Sequence, residues 1–174
     1  PLQVDDKDWP GYRRGNQRHS GTPVQPGEQV SELWTIKTAG SRPTQLVTAG
    51  GLGFFAGTNG CVEAIEMSSG KGVWTAFTGA AVNYPPAIAG GRLFVGSSDG
   101  WVYCFEASSG RQLWRFRAAP VDRKIPAYGR LTSTWPVGSG VLVEDGVVYA
   151  AAGIASYDGT HVYALDTQDG GIVW

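Results

Sequence analysis

Cysteine is almost missing from this 174-residue chain: Cys61 and Cys104 are too few for a disulfide framework and lack the paired spacing of a zinc site. Histidine is as scarce, with His19 and His161 alone, and no nucleophile–base pair can be built around either. His161 falls where an earlier repeat has Trp101, which reads as a surface or packing position. No apolar run approaches the ~18 residues that would span a membrane, and no signal peptide is present. Neither sign of charge dominates. The formal net charge of −1 argues against a general nucleic-acid binder. Asp5, Asp6 and Asp8 lack the Gly and distant Glu of a calcium loop and read as solvated. Gly50-Gly-Leu-Gly53 precedes a strand rather than a helix, so it does not make a dinucleotide loop.

What the chain has in quantity is Gly (26) and Trp (7), and both fall into a pattern. Ala64–Trp74, Cys104–Trp114 and Ala164–Trp174 repeat one phrase: a small residue, an apolar one, a carboxylate, a polar turn closing on Gly, then Trp four residues later. Such a phrase is a hairpin whose return strand carries a large aromatic anchor. Trp34, Trp74 and Trp114 are spaced by 40 residues, and Gly50-Gly51, Gly90-Gly91, Asn59-Gly60 and Asp99-Gly100 keep the same step. Three tight turns per period of about 40 residues give four short antiparallel strands, the content of one propeller blade. A four-stranded sheet cannot bury both faces alone, so blades must stack.

The expected fold is therefore all-β: four-stranded antiparallel blades in an incomplete ring, three blades plus an orphan N-terminal strand. Residues 1–39 read as a leader and a lone closing strand, with Trp34 at the repeat's Trp position. Residues 40–79 form blade one, 80–118 blade two, 119–140 an inserted loop and 141–174 a truncated blade three, all of one propeller domain that excerpts a longer protein. Trp9–His19 in the leader is either a basic recognition arm or a segment packed by Trp9 and Tyr12 with its arginines in solvent. Cys104 takes the small-residue position of its repeat and reads as buried packing.

These phrases resemble the tryptophan-docking motif of pyrroloquinoline-quinone-type (PQQ-like) β-propellers, Ala-x-Asp-x-x-x-Gly-x-x-x-Trp. Ala164–Trp174 fits it fully, while Glu66 and Glu106 replace the Asp and Cys104 replaces the Ala. Asp8-Trp9-Pro-Gly-Tyr-Arg is similar to the leader of bacterial extracytoplasmic members, and Asp99–Cys104 and Trp114–Pro120 to planctomycete-type proteins. The resemblance implies that Trp74, Trp114 and Trp174 dock on neighbouring blades, and that the protein is periplasmic or otherwise extracytoplasmic. It does not bring the cofactor. Quinoprotein dehydrogenases of this type use adjacent cysteines and a calcium shell, and neither can be placed on these residues.

The expected function is a non-catalytic scaffold or binding module that presents loops to a protein or small-molecule partner, beside the remaining blades of its parent. No metal or cofactor is expected. The alternatives are part of a PQQ-dependent dehydrogenase, with quinone and calcium, or the sensor ectodomain of a membrane protein. Arg111–Arg130 carries six cations against one acid, Asp122, and is either a solvated strand and loop or a patch for an acidic partner. In a four-stranded meander the connections alternate between the two ends of the blade. The 15 extra residues before blade three and the four before Gly159 therefore fall at one end. Long loops on a rigid scaffold commonly carry binding. The expected partner-binding residues are Arg123, Lys124, Tyr128, Arg130 and Trp135 from the longer insertion, with Ser156 and Tyr157 from the shorter. The opposing possibility is that Trp135 and Tyr128 only pack the loop down.

Overall fold

Every regular element is a strand in this computed structural model, which describes residues 2–38, 42–127, 129–154 and 158–174. Strands β1 (Val47–Ala49), β2 (Leu52–Ala56), β3 (Cys61–Glu66) and β4 (Gly72–Phe77) pair antiparallel in sequence order. So do β5 (Ala87–Ala89), β6 (Arg92–Gly96), β7 (Trp101–Glu106) and β8 (Gln112–Arg117). The same bulge recurs in both sheets, between Ala64 and Ile65 and between Cys104 and Phe105. Gly90 and Gly91 turn β5 into β6 with φ of 55° and 74°, the left-handed pair that a two-residue hairpin requires.

The second turn of the repeat is tied to the chain linking the blades. Asp99 accepts hydrogen bonds from Gly79 N at 2.9 Å and from the Tyr103 hydroxyl at 2.6 Å, so the second blade's turn clasps the link from the first.

Two elements depart from expectation. The insertion 119–140 is not a plain loop: β9 (Lys124–Ala127) and β10 (Arg130–Ser133) make a hairpin within it. Pro126 argues against a strand in the sequence. It takes the place opposite Leu131 at the free side of a two-stranded ribbon, where a missing N–H leaves no broken ladder bond. The closing strand expected around Trp34 forms no ladder among the described residues 28–38, because the sheet it would join is not present there to pair with it.

In the third blade, β11 (Leu142–Glu144), β12 (Val147–Ala152) and β13 (His161–Asp166) form a sheet to which Ile172 adds a single bridge at Leu165. Blades stack as their apolar faces demand. Phe54, Ala56 and Val62 join Leu93, Val95 and Phe105 in one buried cluster. Phe94, Val102 and Cys104, on the reverse of the second sheet, join Val148, Ala150 and Leu165 in another.

The tryptophans lie across these junctions. Trp74 donates its indole N–H to Ala107 O at 2.9 Å, and Trp114 to Thr167 O at 3.1 Å. Trp34 does the same to Met67 O at 2.9 Å, so it occupies on the first blade the seat that Trp74 takes on the second. Trp174 leans on Tyr149 within its own sheet but stays 62% exposed, because no further blade follows among the described residues to receive it.

The leader is not a solvated arm. Trp9 N bonds the Thr48 hydroxyl, Trp9 O accepts from Thr48 N, Pro10 O accepts from Ile88 N, and Asn16 Nδ2 donates to Val143 O. Thr48, Ile88 and Val143 are the central residues of β1, β5 and β11, so the leader stitches together the innermost strands of all three blades. Asp8, expected in solvent, is buried and accepts from Gly50 N, which fixes the leader to the first turn of blade one. The leader's arginines are likewise not all solvated: Arg14 and Arg18 are half-buried and donate to backbone carbonyls.

Candidate partner-binding face

The two insertions meet. Arg123, just before β9, donates to Asp158 Oδ1 at 2.8 Å and to the Thr134 hydroxyl at 3.0 Å. Its guanidinium lies 4.6 Å from the centroid of the Trp135 ring. Trp135 in turn donates to Asp158 O at 2.8 Å and meets the His161 ring edge-on at 6.4 Å. Cation, indole and carboxylate thus bind the longer insertion to the margin of the shorter one. Such a stack is worth about 0.5–1 kcal/mol at a partly exposed site. Trp135 is only 8% exposed, so it holds the loop down rather than offering itself outward.

The hairpin is also fastened underneath. Ser133 N and the Thr132 hydroxyl both donate to Ser98 O, at 2.7 and 2.9 Å, and Arg130 reaches Thr58 O in the equivalent turn of the first blade. The ribbon therefore starts from the second blade, bridges toward the first and is anchored to the third. A two-stranded ribbon is marginal alone, and these tethers are what hold it.

What remains outward is mixed apolar and cationic. Leu131 is 65% exposed, Ile125 44% and Val121 52%. Lys124, also exposed, lies 3.8 Å from the Asp122 carboxylate, a solvent-facing pair that contributes little. Tyr128, Ser156 and Tyr157 lie outside the described residues. The sequence reading favoured cations and aromatics and passed over Ile125 and Leu131. Their signal was the alternation Lys124-Ile-Pro-Ala127 and Arg130-Leu-Thr-Ser133, two short strands around Tyr128-Gly129.

The cations of Arg111–Arg130 do not form one patch. Arg111 pairs with Glu106 at 3.3 Å, Arg115 stacks on Trp101 at 4.6 Å and Arg117 ends β8, all on the outer part of the second blade, while Arg123, Lys124 and Arg130 belong to the hairpin and the residue before it. Hydrogen bonds from Ser109 and then Arg111 hold the Glu106 carboxyl below its usual range.

Cys61 is in β3 and Cys104 in β7, each buried within its own sheet, so they cannot form the adjacent pair the resemblance would require. Burial is the main cause that pushes their thiols up, to about 11 and about 12. Among the described residues no three His, Cys, Asp or Glu side chains are grouped to hold a metal ion, and no helix is long and apolar enough to cross a membrane.

A family model described as outer membrane protein assembly factor BamB matches residues 26–126 and 98–174. No curated protein matches the sequence. Among solved structures, the chain is similar to quinohemoprotein alcohol dehydrogenase ADHIIG from Pseudomonas putida HK5. That match has a TM-score of 0.78 at 18% identity and covers 98% of this chain and 26% of the other. A europium-containing methanol dehydrogenase gives 0.74 at 16% identity, over 99% of this chain and 32% of that one. BamB from Moraxella catarrhalis gives 0.55 at 17% identity, over 72% and 34%. At such identities the likeness establishes the propeller fold alone, and the chain spans between 26% and 32% of these dehydrogenases.

Proposed function

The chain belongs to the family described as outer membrane protein assembly factor BamB, and on that premise we propose that it is a non-catalytic, extracytoplasmic propeller scaffold that binds a protein partner through β9–β10. The observation that carries this reading is the hairpin itself. It is pinned on three blades, yet it turns Leu131, Ile125 and Lys124 to solvent. A rigid support under exposed apolar side chains lowers the ordering cost of binding. Pro126 removes an N–H from the ribbon's free edge, which disfavours recognition by strand addition. The partner is therefore met by side chains: an apolar contact over Leu131 and Ile125 flanked by acidic groups for Lys124 and Arg130.

The test is capture of partners by the full-length protein from an extracytoplasmic extract, comparing the parent with Leu131→Asp and Lys124→Glu. Selective loss of one captured protein at unchanged melting temperature is expected. Undiminished capture by both variants removes the hairpin from the binding role.

A second reading, a segment of a quinoprotein dehydrogenase, is favoured by one observation: the dehydrogenases superpose over nearly the whole chain and BamB over less of it. The scaffold reading expects no heat of binding when the full-length protein is titrated with pyrroloquinoline quinone and calcium. Stoichiometric binding at micromolar affinity or tighter would replace it with the enzyme reading.

A further inference from the structure

We propose that the cleft between the leader and the inner strands of the second and third blades binds a small organic anion: a carboxylate or phosphate monoester on a compact apolar body. The cavity has a volume of about 200 Å³. Tyr12, Arg14, Asn16 and Arg18 line it from the leader, while Ile88, Val141 and Val143 line it from the blades. One wall is cationic and the other hydrocarbon. No carboxylate lines it; Asp5, Asp6, Asp8 and Glu144 line an adjoining cleft along the leader, which Arg13, Arg14 and Arg18 line as well.

Neither guanidinium is in direct ion-pair contact with a carboxylate among the described residues. Arg14 donates at 2.7 Å to Gly21 O and to Asp6 O, and Arg18 at 2.7 Å to Tyr12 O. These neutral carbonyls orient both side chains without neutralising them. The ion pairs at Arg111, Arg123 and Lys124 lie elsewhere. Arg14 and Arg18 are both half-buried. Two like charges drawn partly out of water are unfavourable until an anion joins them, and the planar guanidinium fork suits carboxylate and phosphate oxygens.

The backbone around them points the same way. Arg13, Arg14, Arg18 and Ser20 have φ of 53°, 73°, 59° and 56°, and the only other non-glycine residue with positive φ among those described is Asp145. Side-chain-bearing residues rarely adopt that region, and such strain gathers at ligand clamps. Here it accompanies Arg14 and Arg18, which line the cavity from a segment stitched to three blades. The size restricts the ligand: typical pockets for drug-sized molecules hold about 300–1,000 Å³, so a benzoate-sized acid suits this one.

The experiment is performed on the intact protein with three probes: benzoate, phenyl phosphate and inorganic phosphate. Amide spectra are recorded beside thermal melts. Benzoate or phenyl phosphate is expected to shift the amides of Gly11, Gly15 and Ile88 saturably and to raise the melting temperature. Inorganic phosphate, which lacks the apolar body, should bind more weakly. Which of the two aromatic probes binds tighter separates a carboxylate ligand from a phosphate ester. Arg18→Gln should weaken binding roughly tenfold by removing one charge-assisted contact, and Val141→Phe should block it by filling the apolar wall. If either variant fails to fold, the amide map of the parent decides alone. The absence of saturable shifts at these amides, or shifts centred on the hairpin, overturns the proposal.

Discussion

Gly110 can be made to report what a tryptophan seat is worth. Its φ is +73°, and a Cβ there would come within 2.6 Å of the Trp74 ring. Gly90, in the same blade, has φ +55° but open space around its Cβ direction. Gly90→Ala therefore carries conformational strain only. An L-residue in the left-handed region costs roughly 1–2 kcal/mol, offset by about 0.4–1 kcal/mol from a less flexible unfolded chain. Gly110→Ala carries the same two effects and also expels the ring. That breaks the bond from Trp74 Nε1 to Ala107 O, about 1 kcal/mol, and loosens packing against Phe54, whose ring centroid lies 6.0 Å away. The expected gap between the two variants is about 2–3 kcal/mol, which for a domain of this size is about 4–12 °C in melting temperature. Paired melts of the intact protein measure it. A double-mutant cycle with Trp74→Ala supplies the check, since the ring cannot be expelled twice and the two effects should be strongly non-additive. Equal melting shifts for Gly90→Ala and Gly110→Ala would refute the seat as a stabilising contact.

Tyr103 governs part of the alkaline stability. Burial first, and then the Asp99 carboxylate beside it, push its phenol up from 10.0 to about 12. A folded-state value above the unfolded one means that stability is intact below pH 10 and is lost as pH rises through about 12. The loss is about 2–3 kcal/mol for a shift of two units, and Tyr103→Phe should flatten that limb in denaturant titrations across pH 9–13. Cys61 and Cys104, buried with raised thiol values, should resist a maleimide at pH 8 while the protein is folded and react once it is denatured. Fast labelling of either in the native state would place that thiol at the surface.

The repeat was legible because its signals are local. Gly turns, the carboxylate before them and the Trp after them are all fixed within a dozen residues, so blade content and strand order follow from spacing. The leader was harder. Its bonds to Thr48, Ile88 and Val143 span large sequence separations and are made mostly by backbone atoms, which leave no mark on residue identity. Asp8 shows the same limit: an aspartate among aspartates reads as solvated, and the backbone N–H groups of nearby Asp5 and distant Gly50 make it a buried acceptor. At the candidate face Arg123 and Trp135 meet Asp158, and the sequence offered only the insertion lengths, which put both expansions at one end of the blade. They gave no hint that these two would serve as anchors, leaving exposure to Leu131 and Ile125.

Trp34 and Trp174 are complementary in what each lacks. Trp34 has its seat, with its N–H on Met67 O and its ring over Gly70, but the strand that should carry it has no sheet among the described residues. Trp174 has its sheet, and its ring keeps a tilted 6.2 Å contact with Tyr149 like those of Trp74 with Phe54 and Trp114 with Phe94, but it has no seat. Whatever fills the gap between them must offer a carbonyl and a left-handed Gly to Trp174, and pairing strands to the segment that carries Trp34. One face has to receive Trp174 together with the exposed Val162, Ile172 and Val173. The other has to take residues 31–38 as its outer strand and lie against blade one. A flat apolar partner surface could satisfy the first demand but not the second, which needs open backbone hydrogen bonds at a sheet edge. Strands of the same repeat would meet both demands at once, which an unrelated apolar surface would not.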